Sequence, residues 1–305
     1  MKRDFIPLAA FAVTTIAAPA QSFQQTSLDP YVISRASGEV TTVAPDGVVR
    51  IGWSREDVRV VVDGVTLPPA AGLGSWAAFR AAGSGAMVMG DTVVFQDEVD
   101  AAMDAAFASG LEVTALHNHF FFDEPKVYFM HIGGLGDPES LAAGVKAVWD
   151  AIKQVRARRP QPATGFGGQP PQPGRFDAAA IEAALGAPLT VNGGVAKATI
   201  GRDGAMRGVP IGASMGLTTW AAFSGSDARA SVDGDFIMSA AEVQPVLRAL
   251  RRGGIHVVAL HNHMVGGEPV HYFVHYWAKG PALDLAQALR GALDAQRAAA
   301  RIEDR

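Results

Sequence analysis

Seven of the eight histidines in this sequence lie in two short windows that carry the same pattern. Each window contains a His-Asn-His motif and a further histidine downstream; the members are His117, His119 and His131, then His261, His263, His271 and His275. Side chains alternate between two faces along a strand, so the two histidines of each motif share one face. A glutamate follows each motif, at Glu124 and Glu268.

The third histidine of each window lies in a second strand-like segment, after a short connection. If residues 126–132 pair back on residues 111–119 with an even register, His131 joins the same face as the motif. An odd register would send it to the opposite face and break the cluster. His271 occupies the position of Val127 and adds a fourth imidazole to the second window.

Three imidazoles and a carboxylate form a ligand set for a divalent transition metal, most naturally Zn²⁺. All seven window histidines are therefore candidate metal ligands. Glu124 and Glu268 are candidate fourth ligands, or general bases that act on a metal-bound water. Two alternatives remain open: a metal-free histidine pocket for a small polar or anionic molecule, and a structural hydrogen-bond network. The sequence assigns no reaction.

The chain contains two tandem copies of one domain. The segment 72–79 returns as 216–223, and the segment 113–119 returns as 257–263, both with an offset of 144 residues and no gap. A constant register over this length indicates a duplication. We place the copies at residues 28–157 and 176–297, joined by a Pro- and Gly-rich linker at 158–175. Two such copies are expected to pack as a pseudo-twofold pair.

The local signals predict an α+β fold for each copy. Ser239 and Glu242 have the spacing of a capping box at a helix start, and Asp137 followed by Pro138 predicts the start of another helix. Alternating apolar segments separated by turn residues predict strands. We therefore expect an antiparallel sheet in each copy, with helices on one face.

Other residues that recur in both copies have structural interpretations. Asp91 and Asp235 each follow a glycine, which predicts a turn. Glu98, like its counterpart at 242, is explained by helix capping. Arg55 and Arg202 occupy equivalent positions across a small insertion, where they would pair with a carboxylate or bind an anion.

The amino terminus resembles a secretory signal peptide, which we place at residues 1–20. Lys2 and Arg3 precede an apolar run over 5–18, and small residues follow at the cleavage positions. The expected location is periplasmic or secreted, with no transmembrane segment in the mature chain. A net charge of −4 without a basic cluster argues against nucleic acid as a partner. The absence of cysteine excludes disulfides and thiolate metal sites.

The repeated pattern Thr-Ala-Leu-His-Asn-His, Glu-Pro, Tyr-Phe, His resembles the LppY/LpqO lipoprotein family, a domain of unknown function. The resemblance covers nearly all of the chain after the signal peptide and implies no particular activity. It implies a lipoprotein, yet this chain has no cysteine that could be lipidated. A weaker similarity, of His117, His119 and Glu124 to the start of a cupin metal motif, lacks the glycines of that motif.

Overall fold

The computed structural model of the protein describes residues 28–303, so the predicted signal peptide lies outside the described residues. The helices are α1 (Pro30–Ser37), α2 (Val99–Ala108), α3 (Pro138–Arg158), α4 (Ala178–Leu185), α5 (Ala240–Arg252) and α6 (Ala282–Glu303). Two 3₁₀ turns occupy Pro69–Ala71 and Ala213–Met215. Within the described part of the chain, none of the helices combines the length and apolar character needed to cross a bilayer.

The strands of the first copy are β1 (Thr42–Val43), β2 (Val49–Ser54), β3 (Val61–Val62), β4 (Val65–Thr66), β5 (Gly74–Ala82), β6 (Gly85–Phe95), β7 (Glu112–His117), β8 (Asp123–Glu124) and β9 (Val127–Gly136). Those of the second copy are β10 (Leu189–Asn192), β11 (Val195–Gly201), β12 (Gly204–Met206), β13 (Val209–Ile211), β14 (Thr218–Gly225), β15 (Ala230–Met238), β16 (His256–His261), β17 (Gly267–Glu268) and β18 (Tyr272–Gly280).

The two copies join edge to edge into one twelve-stranded antiparallel sheet. Its order is β1-β2-β5-β6-β9-β7-β16-β18-β15-β14-β11-β10, which reads as one half followed by its mirror order. The join is the β7–β16 pair, where Leu116 lies opposite Leu260. Each copy thereby covers a strand edge that would otherwise expose unpaired backbone groups. The predicted α+β class with two similar halves is confirmed, and the two sheets prove to be continuous.

Helices cover one face of this sheet and enclose the main core. Leu116 and Leu260, at the join, belong to the same apolar cluster as Val145 and Trp149 of α3 and Leu289 of α6. The predicted helix starts are present, with Asp137 capping α3 and the Ser239–Glu242 capping box beginning α5. Apolar burial over both halves therefore holds the copies in one continuous body.

Two small sheets pack on the opposite face of the large sheet. A small three-stranded sheet, β4-β3-β8, packs over the first copy, and β13-β12-β17 packs over the second. Beneath the first lies a separate apolar cluster that includes Val93, Phe95 and Phe129, and beneath the second lie Ile237 and Phe273. The window histidines lie on this second face.

An arginine–glutamate pair ties the first turn of α2 or α5 to the sheet in each copy, fully buried in the first copy and partly exposed at Arg202 in the second. Arg55 donates to both carboxylate oxygens of Glu98, at 2.7 and 2.9 Å, and Arg202 bonds both oxygens of Glu242, at 2.5 and 2.6 Å. The expectation that these arginines pair with a carboxylate is confirmed. Bidentate charge-assisted bonds of this kind fix orientation as well as adding energy.

Candidate metal centre

The hairpin register that brings the histidines together is the even one. His117 of β7 lies opposite Phe129 of β9, and Ala115 lies opposite His131, with a register shift between Val113 and Ala115. Residues opposite each other in an antiparallel pair share a face, so His117 and His131 lie on the same side as diagonal neighbours. The second copy repeats the register through β16 and β18.

In the first copy the ring of His117 lies between those of His119 and His131. Both centroid separations from His117 are 5.1 Å. His119 lies just beyond the end of β7 and stacks on the ring of Phe129, with centroids 3.3 Å apart and planes 7° apart. The chain leaves the sheet at this point and turns its second motif histidine back over the aromatic ring.

The second copy reproduces this arrangement and draws it tighter. The centroid of the His261 ring lies 5.0 Å from that of His263 and 4.9 Å from that of His275. His263 stacks on Phe273 at 3.4 Å. One ligand nitrogen from each of these three histidines lies within 4.8 Å of the others, the geometry of a group that can hold a metal ion. These three residues are called the second triad below, and their counterparts in the first copy the first triad.

Asp91 and Asp235 lie beside the triads, and the prediction that they form turns is wrong. Both are buried within strands, β6 and β15, opposite the third histidine of their copy. A carboxylate oxygen of Asp91 lies 3.8 Å from Nε2 of His131, and one of Asp235 lies 3.5 Å from Nε2 of His263. The glycine before each aspartate serves close strand packing, since a Cβ at Gly90 would lie 2.9 Å from a neighbouring carbonyl oxygen.

Burial sets the charge state of the second centre. It raises the pKa of Asp235 to about 6, against the opposing charge of His275. Burial, together with the neighbouring His275 and His263, lowers the pKa of His261 to about 4. The pKa of His263 is lowered by the same two kinds of cause. At neutral pH, His261 and His263 are therefore uncharged, with lone pairs free to bind a cation.

Several polar atoms at the centres lack a partner. Among the described residues, Oδ1 of Asp91, Oδ1 of Asp235 and Nδ1 of His261 are buried without a hydrogen bond. Nδ1 of His275 contacts the carbonyl oxygen of Gly234 at 3.2 Å, which requires Nδ1 to carry a proton, so in the neutral ring Nε2 is the acceptor. Unpaired buried atoms are costly and rare, so a group that satisfies several at once fits this site.

The two predicted glutamates are not members of the three-ligand group. Glu124 and Glu268 belong to the short strands β8 and β17, opposite Val61 and Ala205, with exposed side chains. Each of them precedes a cis-proline, so the two copies have the same peptide geometry at this position. Neither is part of the three-ligand group, and the carboxylate that lies near the second triad belongs to Asp235.

His271 is likewise not a member of the three-ligand group of the second copy. It is 3% exposed and packs beneath the small sheet, where a Cβ placed on Gly204 would lie 3.2 Å from its Cε1. Burial and the nearby Arg202 charge lower its pKa. Four residues of extended chain separate it from His275, a distance of about 13 Å. In this structure its ring packs against Gly204 of the small sheet.

Sequence reasoning missed the two aspartates because a Gly-Asp pair is a common turn signal. The signal that could have found them is their setting: Asp91 sits inside the apolar run Met87–Phe95, and Asp235 immediately precedes the apolar Phe236–Met238. A charged residue in a buried strand is rarely tolerated unless it is paired or binds an ion. Its recurrence at both copies strengthens that signal.

Comparison with known proteins identifies a family. The profile described as Domain of Unknown Function (DUF1259) matches residues 32–151 and again residues 179–295. No curated protein matches significantly. Among solved structures, a trimeric bacterial microcompartment shell protein, PduB, aligns over 86% of this chain and 92% of its own, at 11% identity and a TM-score of 0.19. EtuB from Clostridium kluyveri has the same coverages, 13% identity and a TM-score of 0.21.

Proposed function

We propose that this chain, which belongs to the DUF1259 family and carries its domain twice, binds a divalent transition metal ion at the second triad. The observation that carries the proposal is the convergence of ligand nitrogens from His261, His263 and His275 to within 4.8 Å of one another. Imidazole suits Zn²⁺, Cu²⁺, Ni²⁺ and Fe²⁺, and zinc is the first candidate. Bonds of about 2.1 Å would require the rings to close inward slightly on binding.

The surroundings of the triad support metal binding. His275 presents Nε2, because its Nδ1 is committed to the backbone at Gly234, and a second bond of this kind commonly orients a metal-binding histidine. Asp235 supplies a buried carboxylate, one oxygen of which has no partner among the described residues. A cation would satisfy that oxygen and remove the cost of burying the charge. The proposed ligands are therefore the three histidines, with Asp235 beside them as a fourth ligand or as a base that acts on a bound water.

A site of this kind would have the chemistry of an open metal centre. His263 is exposed, so an ion held there would keep positions for water or a small ligand. The bound ion would lower the pKa of such a water or polarise a carbonyl group. Asp235 is better placed than Glu268 to act on that water, because it lies 3.5 Å from His263. We assign no reaction, and enzymatic activity on a small substrate is the finer form of the proposal.

One observation favours a second function, a non-catalytic binding module of the cell envelope with a metal-free histidine pocket. The ring of His263 rests on Phe273 at 3.4 Å, so part of the pocket is already filled by an aromatic side chain. Neutral imidazoles stacked on aromatic rings would then bind a small ligand through hydrogen bonds.

The proposal includes export of the protein from the cytoplasm. The charged start, the apolar run and the small residues up to Ala20 favour a periplasmic or secreted protein, as does the resemblance to the LppY/LpqO lipoproteins. Cell fractionation with amino-terminal sequencing of the recovered protein tests this. A mature form beginning near Gln21 in the exported fraction is expected, and a full-length cytoplasmic form would contradict export.

The deciding experiment is elemental analysis of the protein purified without a polyhistidine tag, before and after incubation with Zn²⁺, Cu²⁺, Ni²⁺ or Fe²⁺. We expect the second-copy ion to be lost in His261→Ala/His263→Ala, so that this variant holds one ion fewer per chain than the wild type. The matched control His117→Ala/His119→Ala removes the same motif from the other copy and should retain the second-copy ion. A native protein that holds no metal and takes up none would overturn metal binding and leave the envelope module.

A further inference from the structure

The two histidine centres share one open face of one sheet. The side chains of Leu116 and Leu260 both enter the helix-covered core, so the residues that follow them, His117 and His261, both project to the opposite face. The strands β7 and β16 that carry them are direct neighbours in the sheet. No strand of the described structure intervenes between the two centres.

The strand order also sets their separation. The first centre lies between β9 and β7, and the second lies between β16 and β18. Two interstrand spacings of about 4.8 Å separate these positions, which places the centres about 10 Å apart. His117 and His261 approach more closely, as diagonal neighbours across the join at about 7–8 Å.

The relative position of the copies is held by specific contacts as well as by the core. Gln244 of α5 accepts a bond from the backbone N–H of Val113 at 3.1 Å and donates to its carbonyl oxygen at 2.7 Å. Arg248 donates to the carbonyl oxygens of Phe107 and Leu111, both at 2.9 Å. A helix of the second copy is thus bonded to the strand that carries His117, so the spacing between the centres is fixed.

We propose that the two triads, each beside its aspartate, form a single paired site that holds two metal ions about 10 Å apart. The first triad, whose ring centroids lie 5.1 Å from that of His117, would close inward on its ion. This inference rests on the proposed metal function.

The spacing is tested by loading the full-length protein with Cu²⁺ and recording its electron paramagnetic resonance spectrum. We expect two ions per chain and dipolar broadening, because two unpaired spins about 10 Å apart interact strongly. The half-site variants His117→Ala/His119→Ala and His261→Ala/His263→Ala should each bind one ion with a sharp spectrum. One bound ion in each variant also shows that it is folded.

The outcomes separate this inference from the proposed function. Two bound ions without broadening, or one ion per wild-type chain, would overturn the paired site while metal binding stands. No uptake by any form would overturn both.

Discussion

The two copies have the same fold but differ at their centres. The second triad brings its ligand nitrogens within 4.8 Å of one another, and among the described residues it is the group that meets this criterion. The first triad has the same residues and a similar row of rings, with centroids 5.1 Å apart. Identical motifs in equivalent strands therefore do not guarantee equivalent sites.

Differences around the centres accompany this contrast. The loop after the first motif exposes Phe121 and Phe122, whereas the second has Val265 and Gly266 at these positions. Beneath the small sheet, Val60 and Val127 of the first copy are matched by Gly204 and His271 in the second. Between the two copies, these loop and packing residues differ while the three triad histidines are the same, so the histidine pattern is what the two centres share.

The largest expected effect is on metal affinity. His275→Ala should abolish tight binding at the second centre, because it removes one of three ligands and leaves two imidazoles. The matched variant His131→Ala should remove the weaker class of site and leave the tight one. Isothermal titration with Zn²⁺ into apo-protein resolves the two classes. If both variants lose the same class, the two centres do not differ as the geometry indicates.

The next effect is a pair of pH dependences with opposite sign in the metal-free protein. Burial raises the pKa of the Asp235 carboxyl from 3.8 to about 6. As pH falls from about 6 toward 3.8, the folded state therefore becomes more stable, since it binds the proton first. The pKa of His261 is lowered from 6.5 to about 4. As pH falls through that interval, this residue makes the folded state less stable, since the unfolded state binds the proton first. The two contributions oppose each other.

Single variants should separate these contributions. As pH falls from about 6.5, the free energy of unfolding of Asp235→Asn should decrease, and that of His261→Asn should increase. Each change should differ from that of the wild type by up to about 3 kcal/mol. Asp235→Asn should also be the more stable protein at neutral pH, because no buried charge remains. Urea unfolding in the presence of a chelator measures both. Parallel pH profiles for the two variants would show that burial does not control these groups.

A smaller effect should come from the packing exchange beneath the second small sheet. Gly204→Val should cost about 1–3 kcal/mol, because its Cβ would lie 3.2 Å from His271 and 3.0 Å from Leu217. Adding His271→Val should recover part of this loss, since it restores the residue pair of the first copy. Thermal denaturation of the two singles and the double gives the coupling. If the two losses of stability are strictly additive, residues 204 and 271 do not interact. If His271→Val loses bound metal, His271 is a metal ligand.

The smallest effect should be at the loop tip. Phe122 adopts a φ of 58°, in the left-handed region, whereas the second copy has Gly266 at 83°. Phe122→Gly should stabilise the protein by about 1 kcal/mol, because glycine enters this region without strain and the phenyl ring is exposed. Gly266→Phe should destabilise it by a similar amount. Unfolding free energies that do not change in opposite directions would rule out strain as the difference.

Several features could be predicted from local sequence alone. The capping box at Ser239 and the helix start at Asp137 follow from residue types within a few positions, and the structure contains both helices. The hairpin is present too, but β7 ends at His117, so the predicted strand alternation does not extend to His119. The even register of the hairpin was predicted only as a condition, because a slip by one residue changes the face without changing the sequence pattern. The neighbours of His271 were not predictable, since residues far along the chain line its pocket.

The sequence by itself determined the duplication, the strand periodicity and the imidazole ligand types, because these depend on residue identity and spacing within short segments. The tertiary structure decided which carboxylate lies beside the histidines. Pairing of β6 with β9 places Asp91 opposite His131, while Glu124, nearer in sequence, lies on a separate strand. It also decided that β7 and β16 join, which puts both centres on one face. Strand order arises from burial of apolar faces over the whole chain, and no local pattern encodes it.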